Sequence, residues 1–303
     1  MVMKRFVLAI ALVMFSVPAW ASFQTGFDAL NRGDYTTALR ELKPLAERGD
    51  VAAQLVLGFM YYNGQGVRRD YAQAAKWLRQ VADQGDAMAQ TLLGLMYANG
   101  QGVAKDYRQA IKLYRQAAGQ GYADAQFNLG LMYQSGWGVR RDYAQAVRWF
   151  RQAADQGLAN AQSNLGVMYA TGQGVAKDYR QAAKWYRQAA GQGFAAAQSN
   201  LGVMYATGRG GSDDAKALKW WHKAAGQGYA LAQFNLGNMY YNGRGVARDY
   251  AQAVKWWRQA AGQGLADAQS SLGVMYYKGQ GVAKDYAQAV KWYRKAAGQG
   301  LAN

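Results

Sequence analysis

The 303-residue chain carries 35 Lys and Arg against 18 Asp and Glu, a formal net charge of +17, with no cysteine and one histidine, His222. This excludes disulfides, thiolate metal sites, a cysteine nucleophile and a multi-histidine metal centre. Gly at 37 beside Pro at 2 points to ordered glycine in a repeating backbone device, and 51% apolar residues suffice for a substantial core.

The first element is a leader. Lys4 and Arg5 precede an apolar stretch from Phe6 to Val17, broken only by Ser16 and ended by Pro18. Ala19-Trp20-Ala21 then gives the small-x-small pattern of a signal-peptidase site, which places cleavage between Ala21 and Ser22. Residues 1–21 are therefore expected to be a signal peptide and the mature chain to be periplasmic or secreted. The stretch is shorter than the ~20 apolar residues of a membrane-spanning helix, and no later segment approaches that length.

After the leader one motif is written seven times. The glycine of Leu-Gly recurs at Gly58, Gly94, Gly130, Gly166, Gly202, Gly237 and Gly273, spaced by 36 residues except for one step of 35. A fixed period of this length means a stacked array rather than two globular domains. In the first copy Ala53, Leu57, Gly58, Met60 and Tyr61 form a helical stripe, helix A, in which Gly58 leaves room for a neighbouring helix. Asn63-Gly64 ends it with a left-handed glycine, and Val67 supplies the hydrophobic contact of that cap. Asp70-Tyr-Ala-Gln73 reads as a capping box, with the glutamine reaching back, at the start of a second helix, helix B. Its apolar face is Tyr71, Ala74, Ala75, Leu78 and Ala82, and Gly85 ends it. No strand-period alternation is present.

The pattern A-x-x-x-L-G-x-M-Y-x-x-G-x-G-V-x-x-D-Y-x-x-A-x-x-W-x-x-x-A-A-x-x-G resembles the Sel1-like repeat, a relative of the tetratricopeptide repeat found in exported bacterial proteins. The resemblance covers residues 49–303 as seven repeats, and residues 22–48 read as a degenerate leading unit with Asp34-Tyr35 in place of Asp70-Tyr71. It implies an all-α, right-handed superhelical solenoid. One unit departs. Between Gly202 and Gly237 a residue is missing, and Gly210-Gly-Ser-Asp213-Asp214 replaces Gly-Val-x-x-Asp-Tyr, which should loosen that loop.

Catalytic chemistry finds no footing. Eight of the 18 carboxylates read as helix caps, two more stand at helix-B exits, and the scattered remainder holds no non-repeating acid pair of the glycosidase kind. Some cysteine-rich Sel1-like proteins have been described as β-lactamases. This chain has no Cys, no Ser-x-x-Lys and no Lys-Thr-Gly, which leaves a β-lactamase-type hydrolase as the least favoured alternative. His222 stands where sister helices carry Arg79, Arg151 or Arg258, an exposed basic position. The Gly-x-Gly pairs lack the context of a phosphate loop. No cofactor or metal is implied.

Two surfaces remain. Lys76, Arg79, Arg148, Arg151, Lys184, Arg187, Lys255 and Arg258 form a basic ladder on helix B, a solvated face or a grip on an anionic envelope polymer. Export makes nucleic acid an improbable partner. The second aromatic of each helix-B pair is assigned to the core, and the tryptophan before it is expected to pack toward the next unit. On helix A, Asn128, Asn164, Asn200 and Asn235 share one position in four consecutive units. By resemblance, helix A lines a concave groove in which such asparagines bond an extended peptide. The groove would also hold Phe127, Phe234, Gln134, Asn238, Tyr241 and Tyr277, whose positions vary between units. The asparagines either grip a partner or stabilise adjacent repeats. The expected function is a non-enzymatic scaffold that binds a protein or extended peptide, with a cell-envelope factor binding anionic polysaccharide or lipid as the alternative.

Overall fold

The computed structural model describes residues 17–209 and 211–300, so the leader residues 1–16 lie outside it. The described residues form sixteen α-helices and no strand. They run in pairs: α1 (Val17–Arg32) and α2 (Tyr35–Glu47), α3 (Val51–Asn63) and α4 (Tyr71–Asp83), α5 (Ala87–Asn99) and α6 (Tyr107–Gly119), α7 (Ala123–Ser135) and α8 (Tyr143–Asp155). The second half continues with α9 (Ala159–Thr171) and α10 (Tyr179–Gly191), α11 (Ala195–Ala206) and α12 (Asp214–Gly226), α13 (Ala230–Asn242) and α14 (Tyr250–Gly262), α15 (Ala266–Lys278) and α16 (Tyr286–Gly300). The chain divides into two compact units inside α8, between Trp149 and Phe150. Within each, consecutive helices pack in chain order: α1 through α7 in the first, α9 through α16 in the second.

The motif glycines set the spacing within a pair. A Cβ on Gly58 would fall 2.8 Å from Leu78 of α4, on Gly94 2.8 Å from Tyr114, on Gly166 2.6 Å from Tyr186 and on Gly202 2.4 Å from the Trp221 indole nitrogen. Each of these glycines, like Gly237 before Trp257 and Gly273 before Tyr293, is thus the seat for one large side chain of helix B, and all of these but Tyr293 are buried. Gly26 receives Leu42 in the same way, 2.7 Å from where its Cβ would be, so α1 and α2 repeat the device.

Caps fix the helix ends. Asp70 accepts from the backbone N–H groups of Ala72 and Gln73 at 2.9 and 3.0 Å, and its sisters Asp106, Asp142, Asp178, Asp249 and Asp285 do likewise. Only half of the expected capping box forms. The Asp70 N–H donates to the Tyr61 carbonyl of helix A at 3.0 Å, as Asp106 does to Tyr97 and Asp178 to Tyr169, so the glutamine has nothing to reach back for. That bond ties the end of the inter-helix loop to helix A. Gly64 at φ 72° ends α3 in the left-handed region, as read from the sequence.

In five repeats a buried amide joins the pair to its neighbours, whereas in the first copy the Gln54 Oε1 is left without a partner. Gln90, Gln162, Gln198, Gln233 and Gln269 each donate to the carbonyl of an alanine in the preceding helix B. Each also accepts from a glutamine one repeat later: Gln120, Gln192, Gln227, Gln263 and Gln299 respectively. Both groups of the buried side chain are thereby satisfied.

The tryptophans pack the other way from expectation. Trp220 of α12 lies against the core of α10 and α11, Trp256 against that of α12 and α13, and Trp292 against that of α14 and α15. They face the preceding unit. The second aromatic sits in front of its own glycine, and the side chain one residue earlier on a helix, ~100° away, can only turn backward.

Candidate functional site

The side of helix A that the sequence assigns to the groove is only partly covered. In the second unit it presents Asn164 and Val167 on α9, Asn200 and Val203 on α11, and Asn235 and Asn238 on α13, all half-buried or exposed. Asn164, Asn200 and Asn235 therefore follow one another on successive helices A, two of which, α11 and α13, touch directly. They are not equivalent. The Asn164 amide donates to the Asn160 carbonyl of its own helix at 2.9 Å, whereas Asn200 and Asn235 make no such bond. Asn128 holds the same position on α7 in the first unit and is half-buried. The Asn238 carbonyl accepts from Asn242, which anchors the end of that strip.

Several residues assigned to the groove serve packing as well. The Phe234 carbonyl accepts from the Trp257 indole at 3.2 Å, and its ring lies against the α14–α15 core. Tyr241 sits 5.3 Å from Tyr250 and 5.4 Å from Trp257, ring to ring, so it belongs to the α13–α14 joint rather than to the open strip. Tyr277 meets Tyr286 in the same tilted manner, 5.4 Å ring to ring, but remains 55% exposed. Phe127 and Gln134 are half-buried on α7.

The first unit carries a different strip. At the position of the asparagines, α3 has Val56 and α5 has Leu92. Between α1 and α3 a hollow is lined by Phe27, Leu30, Val56, Phe59 and Met60, with the amides of Asn31 and Asn63 at its edge. Sequence reasoning passed over it, although reading the asparagine position backward through Leu92 and Val56 was the signal that finds it.

The basic ladder on helix B is partly engaged. Arg79 donates to the Tyr97 hydroxyl on the following helix A at 2.9 Å, and Arg115–Tyr133 and Arg258–Tyr276 repeat the pair at 2.9 and 3.1 Å. Arg151 donates to Tyr169 likewise. These arginines fasten successive units, so they are not a free charged row. Lys76, Lys184 and Lys255 instead lie over the rings of Trp77, Trp185 and Trp256, with exposed ammonium groups. Arg148 and Arg187 are exposed on the same face. At the joint where His222 replaces the arginine, its ring meets Tyr240 and Trp256 edge-on, and burial pushes its pKa below the ordinary value.

The aberrant loop is better anchored than its sequence suggests. Asp214 occupies the place of the tyrosine and pairs with Arg244 of the next loop at 2.6 Å, while Arg244 also donates to the Ala206 carbonyl. In sister joints the same two positions hold Tyr35 with Gln65, Tyr107 stacked on Trp137 at 5.8 Å, and Tyr179 beneath Arg209 at 5.4 Å. Asp213 caps α12 through the Lys216 N–H and pairs with the Lys216 ammonium at 2.9 Å.

Among the described residues no three His, Cys, Asp or Glu side chains gather as a metal site, and no helix is long and apolar enough to cross a membrane.

The chain matches the Sel1 repeat in seven consecutive copies, residues 51–86, 87–122, 123–158, 159–194, 195–229, 230–265 and 266–301. No curated protein matches it. Among solved structures it is similar to a protective antigen of uropathogenic Escherichia coli strains that displays an SLR fold. That likeness has 39% identity and a TM-score of 0.78 over 93% of this chain. The chain spans 62% of that protein's length. It is also similar to a Sel1 repeat protein from Oxalobacter formigenes, at 34% identity and a TM-score of 0.72, covering 98% of this chain and 96% of the other. The Sel1-repeat fold is commonly a scaffold for protein interaction. Seven matched copies, the paired helices and these two likenesses place the chain in the Sel1 repeat family.

Proposed function

We propose that the protein is an exported, non-enzymatic scaffold that holds a protein or extended peptide against its helices A. The observation that carries this is the Asn200–Asn235 pair: two half-buried amides at one repeated position on touching helices, neither bonded to its own helix. An amide with free donor and acceptor groups at this depth fits the alternating N–H and C=O groups of an extended chain. Asn164, held by Asn160, acts as a shoulder to that pair.

The test is selection of peptides on the full mature chain, followed by titration of the selected peptide against Asn200→Ala with Asn235→Ala. Loss of two hydrogen bonds of ~0.5–1.5 kcal/mol each is expected to weaken binding roughly tenfold, with thermal stability nearly unchanged. A sharp fall in melting temperature with affinity intact would make the asparagines structural and overturn the reading.

Export rests on the leader and gains support from α1. Around the expected cut, Trp20 and Ala21 are exposed, whereas Phe23, just beyond it, is 1% exposed in the core. Cleavage before Ser22 removes the first turn of α1 and keeps the side chain that anchors it. N-terminal sequencing of protein recovered from the periplasm or medium should read Ser22-Phe23. Protein retained in the cytoplasm with Met1 intact would refute export.

A further inference from the structure

The outer face of α16 has the make-up of half a repeat joint. One pair earlier, Val254, Trp257 and Ala261 of α14 are covered by Ala268, Leu272 and Met275 of α15, and all three are buried. The equivalent residues on α16, one repeat later, are Val290, Tyr293 and Ala297. Among the described residues α16 packs on α15 and on no later helix, and Val290 is 47% and Tyr293 38% exposed. With Tyr277 and Tyr286 they make four of the eight exposed large apolar side chains among the described residues, all on one helix pair.

The free side of α1 is finished differently. On inner helices A the positions that meet the preceding unit are apolar, as Ala125, Leu129 and Met132 are against α6. On α1 the same positions hold Ala21, Thr25 and Asp28, a largely polar face that can stand in water.

We propose that the α16 face is a self-association surface, through which two copies of the chain pair across a two-fold axis. The inner joints show what the face accepts. The tight turn of residues 263–265 brings α15 back antiparallel to α14, and a two-fold axis perpendicular to α16 also sets an antiparallel helix against it. Each inner joint is also fastened by an arginine on a tyrosine, as Arg258 donates to the Tyr276 hydroxyl at 3.1 Å. Arg294 stands in the place of Arg258 and is exposed. The α16 face carries both an arginine and tyrosines, so a second copy supplies to each side the partner the other needs.

Charge favours the same occupant. Tyr286, Val290, Tyr293 and Ala297 form one stripe, and at ~100° per residue Lys291 and Lys295 lie about 130° and 170° from its centre. Lys295 is drawn over the Trp292 ring at 4.8 Å. Lys284, over the Tyr286 ring at 5.0 Å, is adjacent to the carboxylate of Asp285. Arg294 alone borders the stripe. Two such stripes meet with little repulsion, whereas an acidic helix or an anionic lipid surface would find no row of cations to bind.

One helix face is small beside the roughly 800 Å² per partner of a standard interface, so a micromolar dissociation constant is expected. The test is sedimentation equilibrium of the full mature chain from about 1 to 200 μM, a range that brackets such a constant. A monomer–dimer equilibrium without larger species is expected. Val290→Glu sets a carboxylate in the middle of the stripe at a site already exposed, and should raise the dissociation constant at least about tenfold. Its circular-dichroism melt at the lowest concentration should match that of the unmodified chain. Arg294→Ala should weaken the dimer several-fold, and Asp28→Lys should leave it unchanged. A strict monomer throughout, or a dimer indifferent to Val290→Glu, would overturn the proposal. Growth beyond a dimer, or loss of association in Asp28→Lys, would overturn it in favour of head-to-tail stacking through α1. A monomer that sediments with phosphatidylglycerol vesicles through Val290 would overturn it in favour of a membrane. Asn200→Ala with Asn235→Ala leaves the sedimentation unchanged, so the groove and this contact stand or fall separately.

Discussion

Asp214 and Arg244, thirty residues apart, meet at 2.6 Å across one inter-repeat joint, where the other joints pair a tyrosine with glutamine, tryptophan or arginine. Both side chains are partly exposed, so the pair contributes at the level of a surface ion pair, about 0.5–1 kcal/mol. Its second role is to hold the short loop through the Ala206 carbonyl. In Arg244→Ala, limited proteolysis should cut first between Gly208 and Asp213, and earlier than in the unmodified protein. First cuts at Gly64–Asp70 in both proteins would show that the ion pair does not secure the loop.

The glycine seats make an overpacking test. Gly202→Ala places a methyl group 2.4 Å from the Trp221 indole nitrogen, and the helix-propensity gain of ~1 kcal/mol does not offset the displacement of a buried ring. A net loss of about 1–3 kcal/mol is expected in chemical denaturation. Gly226→Ala, at the end of α12 with no atom within 4 Å of the added Cβ, should instead be neutral or stabilising by up to ~1 kcal/mol.

The buried amides give a third measurement. Gln192→Ala removes the donor to the Gln162 Oε1 at 2.9 Å and leaves a buried acceptor unpaired. A cost of about 1–3 kcal/mol is expected, with amide hydrogen exchange rising most in α9 and α10. Uniform loss of protection along the whole chain would argue that the joint is not the locus of the effect.

His222 introduces a pH dependence that the other joints lack. Burial lowers its pKa in the folded state, so the unfolded chain binds the proton more readily. The stability tied to neutral His222 is therefore present above pH 6.5 and lost as pH falls through that value and below. In His222→Arg the new side chain can donate to Tyr240, as Arg258 does to Tyr276 at 3.1 Å. Between pH 7.5 and 5.5 the melting temperature of the variant should fall less than that of the unmodified chain. Identical slopes would remove His222 from the acid response.

Much of this architecture was legible in the chain because repetition states each rule several times. The period, the left-handed Gly64, the Asp70 cap and the role of Gly58 as a seat could be read from spacing and residue type. What escaped were relationships between positions about a repeat apart. Nothing within α4 announces that Arg79 will find Tyr97, and nothing in the sequence Gly-Gly-Ser-Asp-Asp announces Arg244. The backward packing of Trp220 required the depth of the Trp221 ring over Gly202, a packing fact. On the candidate groove, the repeat of asparagines was visible, but the engagement of Asn164 by Asn160 and the withdrawal of Tyr241 into its joint depend on rotamers.

The glutamine joints bear on how such a chain can change length. Gln90–Gln120, Gln162–Gln192 and Gln233–Gln263 use the same atoms at the same separation, so these copies meet their neighbours through an identical fitting. A whole copy could be duplicated or lost by recombination and the ends would still mate. The exception is the Asp214–Arg244 junction, where a carboxylate stands in the place of the sister tyrosines. Setting Asp214 against a loop with glutamine or tryptophan at that position would lose the ion pair, whereas Arg244 against a tyrosine would repeat the Arg209–Tyr179 contact. The junction is therefore keyed from one side: Asp214 requires an arginine in the loop that follows it, while the tyrosine joints accept several partners.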